Sequence, residues 1–361
     1  MKLQVTQENL AKALNSVARV AVNRGTLPIL SNILLKAENN RLSIAATNLD
    51  IAISHFIGSK IDEGGAVTVP ARLMQDFIGN LPDSRIELET KDNRLLITTD
   101  KFHSTINGMS AEEFPVMPAI KGDNLWKVPA AEFKKTLSQV VFAASTDDAR
   151  PILTGVYFCS EAGNVIAVAT DSYRLAERKI GKSKQEVNFL VPASAANDLL
   201  RIISDSDKEV VITHDDQQAL FQVGDISLVA RLVEGNYPDY KKLIPTKFAT
   251  TAKLSKADFA NITKISSLFA RESAGSITIK ASDGKVSINS IASQVGENTA
   301  TANAEVSGEG EVTLNSRYLI DALNAVSGEE VEFCFNGKLE PCILRSSTDP
   351  GYLHLIMPLR S

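Results

Sequence analysis

Leu27-Pro28-Ile29-Leu30 returns as Arg150-Pro151-Ile152-Leu153, and that return decides how the 361 residues divide. Outward from it, Ala46-Thr47-Asn48 reappears as Ala169-Thr170-Asp171, and Val69-Pro70-Ala71 as Val191-Pro192-Ala193 and, more weakly, Leu314-Asn315-Ser316. Positions 27 and 150, 47 and 170, and 192 and 315 are each 123 apart, and 70 and 192 differ by 122. Solenoid repeats run to roughly 20–50 residues, so this period is that of a whole domain. The chain reads as three like domains, with joints where strand patterns stop, near Pro118 to Asn124 and Pro245 to Thr250. The expected domains are residues 1–121, 122–246 and 247–361. Neither joint is long or rich in Gly and Ser, which predicts a fixed arrangement.

Each third opens with an amphipathic helix. Leu10, Leu14 and Val17, then Phe133, Leu137, Val140 and Val141, then Phe259, Ile262 and Ile265 fall at helical spacing. Ser255, with Asp258 three residues on, is the expected cap of the third. Alternating β-rich segments follow, at 33–37, 41–46 and 51–56, at 156–160 and 165–169, and at 276–281 and 285–291. Turn residues such as Glu38-Asn39-Asn40, Ala162-Gly163-Asn164 and Asp283-Gly284 separate them, as antiparallel hairpins require. A second helix opens at the Val-Pro-Ala positions, with Leu73, Met74, Phe77, Ile78 and Leu81 in the first copy. Three more strands close each third, including 84–89, 94–99 and 101–106. The expected class is α+β: two helices and two small antiparallel sheets per domain, the helices covering the same side of the sheets.

With 44% hydrophobic and 22% charged residues the composition is that of an ordinary globular protein. No stretch approaches the roughly 18 continuous apolar residues of a membrane span, and Met1-Lys2-Leu3-Gln4-Val5 lacks the apolar core of a signal peptide. A cytoplasmic protein is expected. Cys159, Cys334 and Cys342 form an odd set without a CxxC pair, so reduced thiols are expected, with no metal and no cofactor. The net charge of −5 argues weakly against nucleic acid, but a phosphate backbone responds to local basic surface rather than to the total. Opposite the apolar stripes, the helices carry Lys12 and Arg19, Lys134 and Lys135, and Lys256 and Lys264, mixed with Glu8, Glu132 and Asp258. A solvated face explains any one of these.

Five landmarks run in order along the chain: Arg24-Gly25-Thr26-Leu27-Pro28-Ile29-Leu30, Val69-Pro70-Ala71-Arg72, Ala169-Thr170-Asp171-Ser172-Tyr173-Arg174-Leu175, Gly235-Asn236-Tyr237-Pro238-Asp239-Tyr240 and Met357-Pro358-Leu359-Arg360. Through them the sequence resembles the bacterial β sliding clamps, the processivity factor of DNA polymerase III. The resemblance implies a head-to-tail homodimer whose six domains close a ring, with helices lining the hole and sheets forming the rim. It implies a non-catalytic accessory subunit that encircles duplex DNA without reading its sequence, tethers the replicative polymerase, and works in the cytoplasm at the nucleoid. Lysine and arginine would attract phosphates by counterion release. Arg24 and Arg150 match positions near the DNA path, and Arg72 stands at the start of a pore-side helix; Lys12, Lys134, Lys135, Lys256 and Lys264 are weaker candidates. Ala193-Ser194 stands where the family can carry basic residues, which puts that contact in doubt.

The resemblance also implies a cleft for short peptides from replicative and translesion polymerases, the clamp loader and mismatch-repair proteins. The matching positions are Leu153, Thr170, Ser172, Tyr173, Arg174, Leu175, Pro238, Lys242, Leu243, Asn315, Tyr318, Leu339, Pro341, Leu355, Met357, Pro358, Leu359 and Arg360. An apolar pocket with a flexible Met and a few polar groups suits an extended peptide bearing Leu or Phe; ordinary interdomain core is the alternative. Ser172-Tyr173 replaces a Gly-His known in the family, and Ser361 a terminal Leu, which leaves the motif preference open. For the seam between subunits the matching positions are Ile106, Leu268 and Phe269, with Glu297 as an acid and Lys101 as a weaker basic partner; packing within the domain explains Ile106 equally well.

Two rivals stand beside this reading. An enzyme has little support: His55, His103, His214 and His354 are scattered, Gly308-Glu309-Gly310 reads as a turn, and Asp147-Asp148 as a solvated loop pair. A binding scaffold that never encircles DNA would share the repeats and the cleft without needing to dimerise.

Overall fold

The structure is a computed structural model and describes residues 1–21, 27–115, 120, 124–183, 186–292 and 296–359. It falls into two compact units: Met1–Phe133 with Asn197–Leu232, and Lys134–Ala196 with Val233 onward. Among the described residues there are six α-helices, two per repeat: α1 (Gln7–Val17), α2 (Ala71–Asn80), α3 (Ala130–Val140), α4 (Ala193–Ile202), α5 (Lys256–Phe269) and α6 (Ser316–Ala325). None is long and apolar enough to cross a membrane.

The helix starts follow local chemistry. Thr6 caps α1 by accepting the Asn9 N–H, Ser255 caps α5 by accepting the Asp258 N–H, as expected, and Asn315 caps α6 through the Arg317 N–H. Leu10, Leu14 and Val17 of α1 are fully buried, which stabilises the fold by roughly 1.5–3 kcal/mol per side chain. Phe133 of α3 lies edge-on to Trp126 and stacks on Phe221, with centroids 6.2 and 6.0 Å away. Two expected core residues face outward instead. Leu73 on α2 is 52% exposed and Ile265 on α5 is 42% exposed. Each apolar stripe is narrower than the spacing of apolar residues implied, and Ile265 sits one turn before the exposed Leu268.

The sheets depart most from the expected two small ones per domain. The first unit holds a five-stranded antiparallel sheet in the order Lys60–Glu63, Lys2–Thr6, Arg85–Lys91, Arg94–Thr98, His103–Asn107. It also holds an eight-stranded sheet in the order Asn124–Pro129, Glu209–His214, Gln218–Val223, Ile226–Arg231, Ile51–Gly58, Arg41–Thr47, Asn32–Glu38, Gly65–Pro70. That sheet joins the first repeat to the second where Ile51 pairs with Ala230 and His55 with Ile226. In the second unit a twelve-stranded sheet joins the second repeat to the third, where Arg174–Lys182 pairs with Tyr352–Ile356. Unpaired edges leave main-chain donors and acceptors unsatisfied, and pairing across the repeats removes them. The strand expected from Lys101 begins at His103, because Thr99 Oγ1 accepts the N–H groups of Lys101 (3.4 Å) and Phe102 (3.0 Å) and turns the chain.

Candidate functional site

The second unit gathers much of the expected cleft around one turn. Thr170 Oγ1 donates to the Arg174 carbonyl (2.6 Å) and accepts the Ser172 N–H (3.2 Å), while Asp171 Oδ1 accepts the N–H groups of Tyr173 and Arg174, both at 2.9 Å. Side-chain acceptors of this kind fold a tight turn without a glycine, and Ser172 takes up the left-handed conformation, at φ 78°. The turn presents Tyr173, 59% exposed, and folds the Arg174 guanidinium inward.

Arg174 is fully engaged. Its Nε lies 3.1 Å from Asp171 Oδ2, one terminal nitrogen 2.6 Å from Asp321 Oδ2, and the other donates to the Phe142 carbonyl at 2.8 Å. The guanidinium plane stacks on Tyr318 at 4.6 Å and on Phe142 at 5.3 Å from the ring centroids, a use of arginine that lysine cannot copy. Phe142 also stacks on His354, with centroids 5.5 Å apart. Burial, then the Arg174 charge, pulls the His354 pKa down to about 3, so the ring is a neutral spacer. Neither Phe142 nor Asp321 was foreseen; Phe142 follows α3 in a 3₁₀ turn whose apolar run reads simply as core.

Beside the turn, Leu175 pairs with Leu355 across the strands, the Met357 N–H donates to the Tyr173 carbonyl, and the Leu359 N–H to the Thr313 carbonyl, both at 2.8 Å. Leu175 and Leu355 share a buried cluster with Val168, Tyr240, Cys334 and Ile343, and Met357 and Tyr237 pack against it. Burial raises the phenol pKa of both Tyr237 and Tyr240, so they stay neutral. Tyr240 opens the short turn that carries Lys242, paired with Asp239 at 2.7 Å, and the half-exposed Leu243; the Pro238 carbonyl accepts the Tyr240 N–H. Half-buried Pro341 precedes Cys342, which pairs with Ile356, and Leu339 just before it is 70% exposed. Leu153 is buried in a 3₁₀ turn, Pro358 is half-buried, Asn315 is occupied in capping α6, and Arg360 lies outside the described residues.

The basic residues divide. Lys12, Lys264 and Arg72 are exposed, with Arg72 4.0 Å from Asp76, and Lys134 is half-buried. Lys135 instead lies 3.0 Å from the buried Asp349. Burial works to raise the pKa of that acid, but hydrogen bonds from Arg178, Gln139 and Lys135 outweigh it and hold Asp349 well below the usual carboxylate range. Lys256 donates to the Val326 carbonyl at the end of α6 (2.6 Å). Arg150 bonds Asp147 at 3.2 Å and Ser172 at 3.0 Å, tying it to the Thr170–Arg174 turn. Arg24 lies outside the described residues.

Of the seam residues, Ile106 is buried on the edge strand His103–Asn107, paired with Leu95. Lys101 is exposed in the turn that precedes this strand. In the other unit Leu268 is 53% exposed, Phe269 is half-buried and Glu297 is exposed. Glu297 is the second residue of the strand Gly296–Ser307, whose residues 296–303 pair on one side only among the described residues. The three cysteines are free, and no group of three or more His, Cys, Asp or Glu could hold a metal among the described residues.

Comparison with known proteins converges on one family. Models of the N-terminal, central and C-terminal domains of the DNA polymerase III beta subunit match residues 1–118, 127–239 and 241–360. The chain is 32% identical to the beta sliding clamp of Staphylococcus epidermidis over 376 residues, covering 100% of both. The crystal structure of the sliding clamp from Bacillus subtilis superposes with a TM-score of 0.95 at 29% identity, covering 100% of this chain and 99% of that one. A Pseudomonas aeruginosa clamp, solved with griselimycin bound, gives 0.95 at 25% identity with complete coverage of both chains. The chain therefore belongs to the DNA polymerase III beta-subunit family, the sliding clamps that encircle DNA and tether the polymerase as processivity factors without catalysing a reaction.

Proposed function

We propose that two copies of this chain close head to tail, each contributing domains at about residues 1–121, 122–246 and 247–361, into a cytoplasmic, nucleoid-associated ring around duplex DNA. The observation that carries this is a pair of open edges. Among the described residues, His103–Asn107 ends the sheet of one unit, and residues 296–303 are unpaired on one side in the other. Between two subunits these edges can continue one antiparallel sheet, with Leu268, Phe269 and Ile106 as its apolar core and Glu297 facing a base such as Lys101. Each seam uses the same two surfaces, so one kind of interface closes the ring.

Sliding needs phosphate attraction without base readout. Exposed Lys12, Lys264 and Arg72 suit that role, and the family resemblance adds Arg24 as a candidate. Lys135, Lys256 and Arg150 have internal partners that weaken their candidacy. The Thr170–Leu175 turn with Met357 and Leu359 is the proposed dock for extended peptides of polymerases, the clamp loader and repair proteins. Leu175, Leu355 and Tyr240 offer an apolar floor, and Arg174 and Tyr318 a fixed wall.

Retention on DNA tests the ring. The loaded protein is expected to stay on a nicked circle and to run off once the circle is linearised, and its mass in solution to be about twice 39.0 kDa. Equal retention on both forms would sink sliding, and a monomer mass would favour a scaffold that never encircles DNA.

A further inference from the structure

The turn that holds Arg174 has a twin in the first unit. Thr47 Oγ1 donates to the Ile51 carbonyl and accepts the Leu49 N–H, both at 3.0 Å. Asn48 Oδ1 accepts the N–H groups of Asp50 (3.1 Å) and Ile51 (2.7 Å). Each bond has its counterpart 123 positions later, and Leu49 and Ser172 share the same φ of 78°. The flanking strand is repeated too. The Arg231 N–H donates to the Asp50 carbonyl at 2.8 Å, as Met357 does to Tyr173, and Val229 pairs with Ala52 as Leu355 pairs with Leu175. Pro115 stands at the position of Pro238. Around this twin lies a cavity of about 340 Å³, inside the range of roughly 300–1,000 Å³ found for ligand sites.

The differences between the two copies set the chemistry. Leu175 and Leu355 give way to the smaller Ala52 and Val229, which recess the floor, and the inward-folded Arg174 gives way to a buried Ile51. The apolar Met357 gives way to Arg231, an exposed cation that has no ion-pair partner among the described residues. Gln217 and Gln218 add amide donors, and Asp50 also lines the cavity.

We propose that this cavity is a second docking site, for an extended peptide that lays a leucine-sized side chain on the Ala52 and Val229 floor and a carboxylate against Arg231. The cation selects an acidic partner, because a peptide carboxylate supplies the charge-assisted hydrogen bonds that no protein group gives it among the described residues. Asp50 disfavours a uniformly acidic peptide, so acidic and apolar residues alternate. The proposal rests on the docking role of the Thr170–Leu175 turn, from which the likeness is drawn.

The probe is a fluorescein-labelled, terminally blocked hexapeptide alternating leucine and glutamate, titrated into the full chain and read by anisotropy and calorimetry. Two sites per chain are expected. Arg231→Glu, on an exposed side chain, should weaken one site at least tenfold, and so should Ala52→Leu, whose larger side chain fills the recess in the floor. Met357→Glu should remove the other site only. A single site that survives Arg231→Glu and Ala52→Leu but is lost with Met357→Glu would overturn the proposal and leave the docking role of the second turn standing. A single site lost with Arg231→Glu and kept with Met357→Glu would support the proposal and count against that role. No binding at all would overturn both.

Discussion

Replacing Arg174 with Ala should cost the second unit about 3 kcal/mol of stability and leave the first untouched. The guanidinium is 11% exposed and faces Asp171 and Asp321, themselves 16% and 29% exposed. Breaking a buried ion pair from one side costs about 3–5 kcal/mol because a charge is left without its partner. Partial solvation of Asp321 lowers that here, as do the two N–H groups that still reach Asp171. Loss of stacking on Phe142 and Tyr318 adds about 0.5–1 kcal/mol for each ring. The units can be followed separately. The one tryptophan, Trp126, lies in the first, and all six tyrosines lie in the second. In a urea titration the tyrosine signal should move by roughly 1–2 M, given a slope of about 2 kcal/mol per molar, while tryptophan fluorescence keeps its midpoint. Arg174→Lys should recover only part of the loss, since an ammonium keeps the charge but not the flat face. A tyrosine-reported loss below about 1 kcal/mol, or full rescue by lysine, would refute the account of Arg174 as the clasp of the turn.

His354→Phe should flatten the pH dependence of the tyrosine-reported stability. The folded pKa lies near 3 against 6.5 when unfolded. Above 6.5 neither state is protonated; as pH falls from there towards 3, only the unfolded chain takes the proton, and stability drops by about 1.4 kcal/mol per pH unit. Phenylalanine can keep the stacking on Phe142 without titrating, and an unchanged slope between pH 6.5 and 4.5 would show that His354 is not the group responsible. Leu268→Asp should halve the mass in solution while peptide binding persists, since Leu268 is exposed within its own chain; an unchanged dimer would refute the seam assignment. Removing residues 357–361 deletes the bonds to Tyr173 and Thr313 and should abolish binding of polymerase-derived peptides while a dimer remains; undiminished affinity would mean that the dock lies elsewhere.

The helices, the Ser255 cap and most of the core faces were legible because periodicity and cap chemistry are local; the Thr6 and Asn315 caps were not foreseen. Leu73 and Ile265 were misplaced because apolar spacing counts residues without telling how wide the buried stripe is. The Thr170–Leu175 segment was legible as a repeat of Thr47-Asn48, whereas its folding into a turn and the partners of Arg174 were not. Phe142 and Asp321 are brought to it by tertiary folding, and neither lies in a motif. For the same reason Lys135 and Lys256 read as free cations, though Asp349 and the Val326 carbonyl lie far away in sequence and hold them in space. The joined sheets were invisible, since no local pattern names the partner of an edge strand.

That joining bears on synthesis. The strand Ile51–Gly58, mostly buried in the finished fold, cannot meet Ile226–Arg231 until the latter has left the ribosome. At roughly 5–20 residues per second, the first repeat spends on the order of ten to thirty seconds with an apolar strand edge bare. Arg174–Lys182 waits in the same way for Tyr352–Ile356, nearly the last strand made. A nascent chain with such an edge can pair with another chain emerging nearby. Chains interrupted before residue 226 are therefore expected to aggregate rather than fold as a free first domain, and the hazard is greatest where ribosomes are crowded on one message.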